Sequence, residues 1–203
     1  LPQSGFTGSK VFSWKVSAPR YFKKYSVVIR FVAVFLGSYF LLSVLYNAYL
    51  IFSETRTKFY PDFFTNIVSR QSAAIMEFFG YSIKLQAHET QNAVQVFIED
   101  TLLVRVVEGC NSISVIILFT SFILSFFAKK RTTFFYILAG SIFIYAMNLI
   151  RIALITIAIY KYPEYTSLMH DIVFPLIIYG TVIILWVFWV RVYANLEKNE
   201  SQV

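Results

Sequence analysis

Four apolar runs, each about as long as a membrane-spanning helix, constrain the fold of this chain more than any other feature. The runs cover residues 27–52, 111–128, 133–158 and 172–192. A helix needs about 20 apolar residues to cross the roughly 30 Å of hydrocarbon in a bilayer. Because 58% of the 203 residues are hydrophobic and only 14% are charged, the chain cannot cover itself with charge as a soluble domain does. The sequence therefore predicts an all-α polytopic membrane protein with about four transmembrane helices in a single membrane domain over residues 26–194.

The positions of the basic residues predict the orientation of these helices. Basic residues cluster before the first run, between the second and third, and after the fourth, namely Lys10, Lys15, Arg20, Lys23, Lys24, Arg30, Lys129, Lys130, Arg131, Arg191 and Lys198. Segments rich in lysine and arginine stay on the cytoplasmic side of a membrane. We therefore expect a cytoplasmic lead over residues 1–25, a cytoplasmic tail over 195–203 and an extracytoplasmic insertion over 53–109.

Two further points concern the net charge and the first ten residues. The net charge of +7 is interpreted as an orientation signal at the lipid surface, so nucleic acid is not an expected partner. Residues 1–10 lack an initiator methionine, and we expect them to be either a cloning remnant or a flexible lead-in.

The extracytoplasmic insertion is predicted to hold one helix and a small sheet. Pro61 and Asp62 are typical of a helix start, and apolar residues follow at helical spacing, namely Phe63, Phe64, Ile67, Ile75, Phe78 and Phe79. We expect this amphipathic helix to lie on the outer surface of the membrane and to end at Gly80. Beyond it, residues 81–88, 93–98 and 102–107 have the pattern of strands, which predicts a short antiparallel β-meander.

The only cysteine, Cys110, is expected where the last strand of this meander meets the second apolar run. A lone cysteine in an apolar helix is most often a small buried hydrophobe. At a helix N-terminus, however, the thiolate is favoured, whereas desolvation by the membrane opposes it. A nearby cation would decide between these two effects.

The predicted topology places two further polar residues on the same side of the membrane as Cys110. If the third run enters from the cytoplasm after Arg131, a rise of about 1.5 Å per residue puts its outer boundary near residue 153. Arg151 then lies about one turn below the outer surface, and His170 lies in a short outer loop over 161–171, directly before the fourth run. Cys110, Arg151 and His170 are therefore the candidate catalytic residues.

Arg151 and His170 each have a second interpretation. Arg151 either extends its guanidinium to the lipid head groups or faces the interior of the bundle. Asn148, three residues earlier on the same helical face, favours the interior. His170 is either a solvated loop residue, as His88 is expected to be, or a proton shuttle that works near neutral pH.

No other chemistry is indicated by the sequence. It lacks a His, Cys and Asp cluster at metal spacing, a glycine-rich phosphate loop and a Gly-x-Ser-x-Gly elbow. A single cysteine excludes an intrachain disulfide and a CxxC redox pair. We therefore expect neither a cofactor nor a metal. Glu108 and Asp171 are the two acids considered for orienting His170.

Three segments together resemble the signature of the exosortase/archaeosortase family. They are Glu108-Gly109-Cys110-Asn111-Ser112 at the start of a membrane helix, Asn148-Leu149-Ile150-Arg151-Ile152 in the next, and His170 before the last. In size and span order the chain is similar to the short exosortase F type. The resemblance implies a cysteine protease or transpeptidase of the bacterial inner membrane, with its active site on the extracytoplasmic side. Its partners would be exported proteins whose C-terminal sorting signal combines a short motif, a hydrophobic helix and a basic cluster.

The resemblance also implies a role for each candidate residue. Cys110 would attack the scissile carbonyl to form a thioester, and His170 would shuttle protons. Arg151 would stabilise the thiolate or the developing oxyanion. Supporting candidates are the polar residues beside these three, namely Asn148, Asn111, Ser112 and Glu108.

Several points stay open at this stage. Many members of the family have more spans than this chain, so the need for an accessory membrane protein is undecided. The recognised motif is also undecided, as is the choice between water and another acceptor in the second step. The alternative from a different class is a non-enzymatic membrane assembly factor or transporter subunit, in which Arg151 is structural and the insertion is a docking platform.

Overall fold

A computed structural model of the protein describes residues 25–55, 61–88, 91–126 and 128–200, without the side chains of 54–55 and 193–200. Its main helices are α1 (Ser26–Thr55), α2 (Phe63–Phe78), α3 (Ile113–Leu124), α4 (Lys130–Lys161) and α5 (Phe174–Glu200). Its strands are β1 (Ile83–Ala87), β2 (Ala93–Ile98) and β3 (Thr101–Val107). The predicted cytoplasmic lead lies outside the described residues except for residue 25, and so does the end of the predicted tail.

Three helical stretches in the described residues are long and apolar enough to cross a membrane. They are Ser26–Ser53, Lys130–Lys161 and Pro163–Val192, the last of which includes the turns that precede α5. The prediction of a mostly helical chain with several apolar spans is confirmed to this extent.

The predicted span over 111–128 differs from the other three. Its helix, α3, has 12 residues, which rise about 18 Å and fall short of the hydrocarbon thickness. Asn111 and Ser112 belong to the junction that precedes this helix, and Ser125 caps its end. The count of four crossings is therefore not confirmed.

The three strands form an antiparallel sheet in the order β1-β2-β3, as the sequence predicted. Glu99 and Asp100 form the turn between β2 and β3, and both have the positive φ that tight two-residue hairpins require. The Tyr160 hydroxyl, near the end of α4, donates a hydrogen bond to the Glu99 carboxylate at 2.6 Å. This bond ties the tip of the hairpin to α4.

Helix α2 begins and ends where the sequence predicted. Asp62 caps its start by accepting a hydrogen bond from the Thr65 N–H at 2.9 Å, and Gly80, with φ 88°, follows its end. Its buried side chains are mostly small or polar, namely Thr65, Val68, Ser69, Ser72, Ala73 and Met76. Phe63, Phe78 and Phe79 are exposed instead. Small residues let α2 approach α4 closely, so packing rather than apolar content selects the buried face.

Two apolar clusters hold these elements together. The first joins α2, the sheet and the second half of α4 through Val68, Met76, Val96, Val106, Ile152 and Ala153. The second joins α3, the first half of α4 and α5 through Phe119, Ile123, Ile144, Ile178, Val182 and Trp189. Residues 148–151 of α4 therefore lie where the two clusters meet.

The predicted outer loop over 161–171 is wrong, because this segment is almost entirely helical. Helix α4 continues to Lys161, and a short turn follows over Pro163–Tyr165. Helical turns over Thr166–Leu168 and Met169–Val173 then lead directly into α5. A proline cannot extend the hydrogen bonds of α4, so the chain turns there, and no later residue prevents a new helix. His170 consequently lies in a helical turn of the wide π type.

Candidate active site

Cys110 lies at the junction between β3 and α3. A short turn over Glu108–Cys110 follows β3, and Ser112, with φ 65°, redirects the chain into α3. Asn111 is buried here, and its Oδ1 accepts a hydrogen bond from the first backbone N–H of α3 at 3.0 Å. Its Nδ2 donates to the Tyr46 hydroxyl of α1 at 2.7 Å. The Ser112 hydroxyl donates to the Asn111 carbonyl at 2.6 Å, so both residues hold the backbone that follows Cys110.

Helix α4 contacts the same junction through two buried polar residues. The Nδ2 of Asn148 donates a hydrogen bond to the Cys110 carbonyl at 2.7 Å. Arg151, about one turn later, lies beside the Cys110 side chain, close enough for its charge to act on the sulfur. Arg151 is only 9% exposed. Its guanidinium therefore faces the protein interior and not the lipid head groups.

The guanidinium of Arg151 has few other partners. Its Cζ lies 4.8 Å from the centre of the Phe174 ring, which is a cation–π contact. Its buried Nε has no hydrogen-bond partner among the described residues. A buried charge with an unpaired donor costs free energy, and such groups are often kept where a reacting group completes them. Arg151 is thus able to donate to a negative charge that forms beside Cys110.

His170 reaches this region from the turn before α5. Its side chain is 73% exposed, and its Nδ1 lies 3.0 Å from the Asp171 carboxylate. Its ring also packs edge-on against Phe174, with 5.6 Å between the ring centres. Phe174 therefore contacts both His170 and Arg151. Because Asp171 engages Nδ1, Nε2 is the nitrogen that can exchange a proton with a bound molecule.

Cys110 and His170 line one groove with a volume of about 830 Å³. One wall consists of Leu102, Leu103, Val104, Arg105 and Val107 of β3, and the other contains Ile159, Thr166, Ser167, Asp171 and Phe174. Cys110 is partly exposed in it. A carbonyl group bound in this groove would meet a thiol, with the guanidinium against that thiol and the imidazole in the same cavity. Among the described residues, no group of His, Cys, Asp and Glu side chains is able to hold a metal ion.

Comparison with models of protein families identifies the family. The model of the transmembrane exosortases matches residues 25–190, which include every residue of the junction and the groove. The chain belongs to the transmembrane exosortase family. Neither the curated proteins nor the solved structures gave a match to it. Membership of this family, together with the three apolar helices, indicates a multi-pass membrane protein involved in processing sorting signals.

The supporting candidates take different places in this exosortase. Asn148 and Asn111 bond to the junction, as described above, whereas the Glu108 carboxylate accepts a hydrogen bond from the Asn92 side chain at 2.8 Å. Of the two acids considered for orienting His170, Asp171 contacts it and Glu108 does not.

Two residues of the exosortase junction and groove were not predicted from the sequence. Phe174 lies four residues after His170, so the two residues share a face once the segment is known to be helical. Tyr46 lies within an apolar run that is rich in aromatic residues, and its partner Asn111 is 65 residues away. No local pattern could have paired these two.

Proposed function

We propose that this exosortase is a membrane-embedded cysteine peptidase or transpeptidase that cleaves C-terminal sorting signals of exported proteins through a thioester at Cys110. One observation carries the proposal: the buried guanidinium of Arg151 lies beside the side chain of Cys110, which lines the same groove as His170. A neighbouring cation favours the thiolate, which is the nucleophilic form of cysteine. The family match supports the substrate class.

The reaction starts when His170 takes the proton of the Cys110 thiol. The Cys110 thiolate attacks the carbonyl carbon of the scissile peptide bond, and the carbonyl oxygen becomes an oxyanion that Arg151 stabilises. The C–N bond then breaks, and protonated His170 gives its proton to the leaving amine. A thioester now joins Cys110 to the N-terminal fragment. Water or another acceptor, deprotonated by His170, attacks this thioester and restores the thiol.

The proposal includes a location and partners. The resemblance to exosortases implies the bacterial inner membrane, and the charge pattern favours both termini in the cytoplasm and the groove on the extracytoplasmic side. The substrate is an exported precursor whose C-terminal hydrophobic helix stays in the same membrane. Its scissile bond meets the groove where that helix leaves the lipid. An accessory membrane protein is needed only if α1, α4 and α5 do not enclose the substrate helix by themselves.

Alanine variants in cells test this proposal. The substrates are the exported proteins that keep their C-terminal helix when the chain is absent. Cys110→Ala, Arg151→Ala and His170→Ala should each leave these precursors uncut, as immunoblots against the precursor and the exosortase show. His88→Ala is the matched control, because His88 does not line the groove and should not change cleavage. Normal processing by a folded Cys110→Ala variant would eliminate the mechanism and favour a non-enzymatic assembly factor or transporter subunit.

A further inference from the structure

The sheet ends in an open edge beside the groove. Strand β2 lies between β1 and β3, so β3 is an edge strand in the part of the chain that the structure describes. Within that part, Thr101–Val107 form no backbone hydrogen bonds other than those of the pairing with β2. One row of peptide N–H and C=O groups along β3 is therefore available to a new partner.

The groove follows this edge and not one face of the sheet. Side chains of successive strand residues point to opposite faces. Val104 packs with the buried cluster on one face, whereas Arg105 is exposed on the other. Both residues line the groove, together with Leu102 and Leu103. A cavity touches successive residues of both faces when it runs along the edge of the strand.

The open edge leads to Cys110. Strand β3 continues directly into the turn Glu108–Cys110, and residues 102–107 of an extended strand span about 20 Å. The opposite wall carries Thr166, Ser167 and His170. A peptide laid along β3 would therefore find main-chain partners on one side, polar side chains on the other and the thiol at its end.

Strand β3 has one of the features that protect an edge strand against the addition of another strand, a bulge at Leu103, and that bulge lies in the half of the strand far from Cys110. Natural edge strands are commonly blunted by charged residues, which prevent unwanted pairing. Between the bulge and Cys110, residues 104–107 pair regularly with β2 and carry one charge, Arg105, among apolar residues. An apolar edge that is open within a groove is suited to pair with an extended peptide.

Resting on the proposed function, we infer that the substrate segment directly before the C-terminal helix binds as an added β-strand along the open edge of β3. The added strand runs parallel to β3, because the substrate chain must continue towards the membrane, as α3 does after Cys110. The scissile bond then follows the paired residues and faces the thiol. Recognition of this kind depends on main-chain hydrogen bonds, and the side chains add selectivity.

Backbone methylation of a substrate peptide tests this inference. The peptide copies the cleavage site and the segment before it from an exported protein that stays uncut in Cys110→Ala cells. In an added strand, the N–H groups of alternate residues face the neighbouring strand. N-methylation of every second residue should raise KM for cleavage by the purified wild-type protein by about tenfold, whereas methylation of the residues between should change it by less than about twofold.

Proline variants of the protein supply the matching measurement. The N–H groups of successive strand residues point to opposite sides, so only one of Val104 and Arg105 directs its N–H to the open edge. A proline at that position removes this N–H and spares the pairing with β2. This variant should raise KM by about tenfold. Iodoacetamide should still alkylate its Cys110 at the wild-type rate, which shows that the junction is intact. The corresponding proline in β1, at Leu85 or Gln86, should leave KM unchanged.

The outcomes separate this inference from the proposed function. A flat methylation profile, or one without a two-residue period, would overturn strand addition and leave the cysteine mechanism in place. If the wild-type protein does not cleave the unmethylated peptide in a Cys110-dependent way, the proposed function is overturned and strand addition with it.

Discussion

At the scale of single residues, the proposed mechanism relies on neighbours that hold the backbone of Cys110 and on one that supplies charge. Asn148 donates a hydrogen bond to the Cys110 carbonyl, and Asn111, the residue after Cys110, donates one to the Tyr46 hydroxyl of α1, both at 2.7 Å. These bonds limit the movement of the thiol. Arg151 then places a positive charge against it. The geometry and the charge thus come from different residues, and they can be tested separately.

Removal of the Arg151 charge should slow the chemistry of the thiol itself. Because the guanidinium beside Cys110 stabilises the negative charge of the attacking sulfur, Arg151→Met should reduce the rate of Cys110 alkylation by iodoacetamide about tenfold. Arg151→Lys keeps a charge and should lose less. The matched control is Arg131→Met at the other end of α4, which should leave the rate unchanged. Equal rates in Arg151→Met and the wild type would show that the guanidinium does not activate Cys110.

Part of this junction could be predicted from the sequence, and the rest could not. The charge pattern predicted Cys110, Arg151 and His170 on one side of the membrane, because the topology of apolar helices can be argued without knowledge of their packing. The bond between Tyr46 and Asn111 depends on how α1 and the junction meet. The contact of Phe174 with Arg151 likewise depends on how α4 and α5 meet. Such contacts are set by packing and carry no local signal.

At the scale of elements, packing partners decided what the periodicity of the sequence left open. The apolar spacing in α2 identified a helix correctly, and the packing shows that its small residues are the buried ones whereas Phe63, Phe78 and Phe79 are exposed. The segment over 161–171 resembled a loop because it is polar and contains Pro163. Its residues nevertheless form helical turns that lead directly into α5. The local sequence identified α2 as a helix but did not identify the helical turns over 161–171. In both places the contacts depend on the neighbouring elements.

Close packing of α3 on α4 gives a prediction about stability. A Cβ added at Gly140 would lie 2.6 Å from Cε1 of Phe119, a fully buried ring that would have to shift within a packed cluster. Gly140→Ala should therefore destabilise the protein by about 1 to 3 kcal/mol, measured as a lower midpoint of thermal unfolding in detergent. Gly180→Ala is the control, because nothing lies within 4 Å of a Cβ at that position. Equal midpoints for the two variants would contradict this packing of α3 on α4.

At the scale of the whole molecule, α4 organises the protein. Its 32 residues extend over about 48 Å, so it meets α3 and α5 along one half and α2 and the sheet along the other. Arg151 and Asn148 lie where these halves join, and the groove opens between β3 and the turns before α5. In the proposed complex, a substrate strand would lie along β3 and the substrate helix that follows it would lie in the lipid. The central claim is that the two meet in a covalent bond to Cys110.

That bond can be tested by mass spectrometry of the cleaved precursor after the reaction is run with hydroxylamine. Hydroxylamine attacks thioesters, so a thioester at Cys110 predicts an N-terminal fragment whose new C-terminus is a hydroxamate. The fragment should be absent when the Cys110→Ala variant replaces the wild-type protein. A fragment that ends only in a free carboxylate at high hydroxylamine, and that the Cys110→Ala variant also produces, would contradict the account.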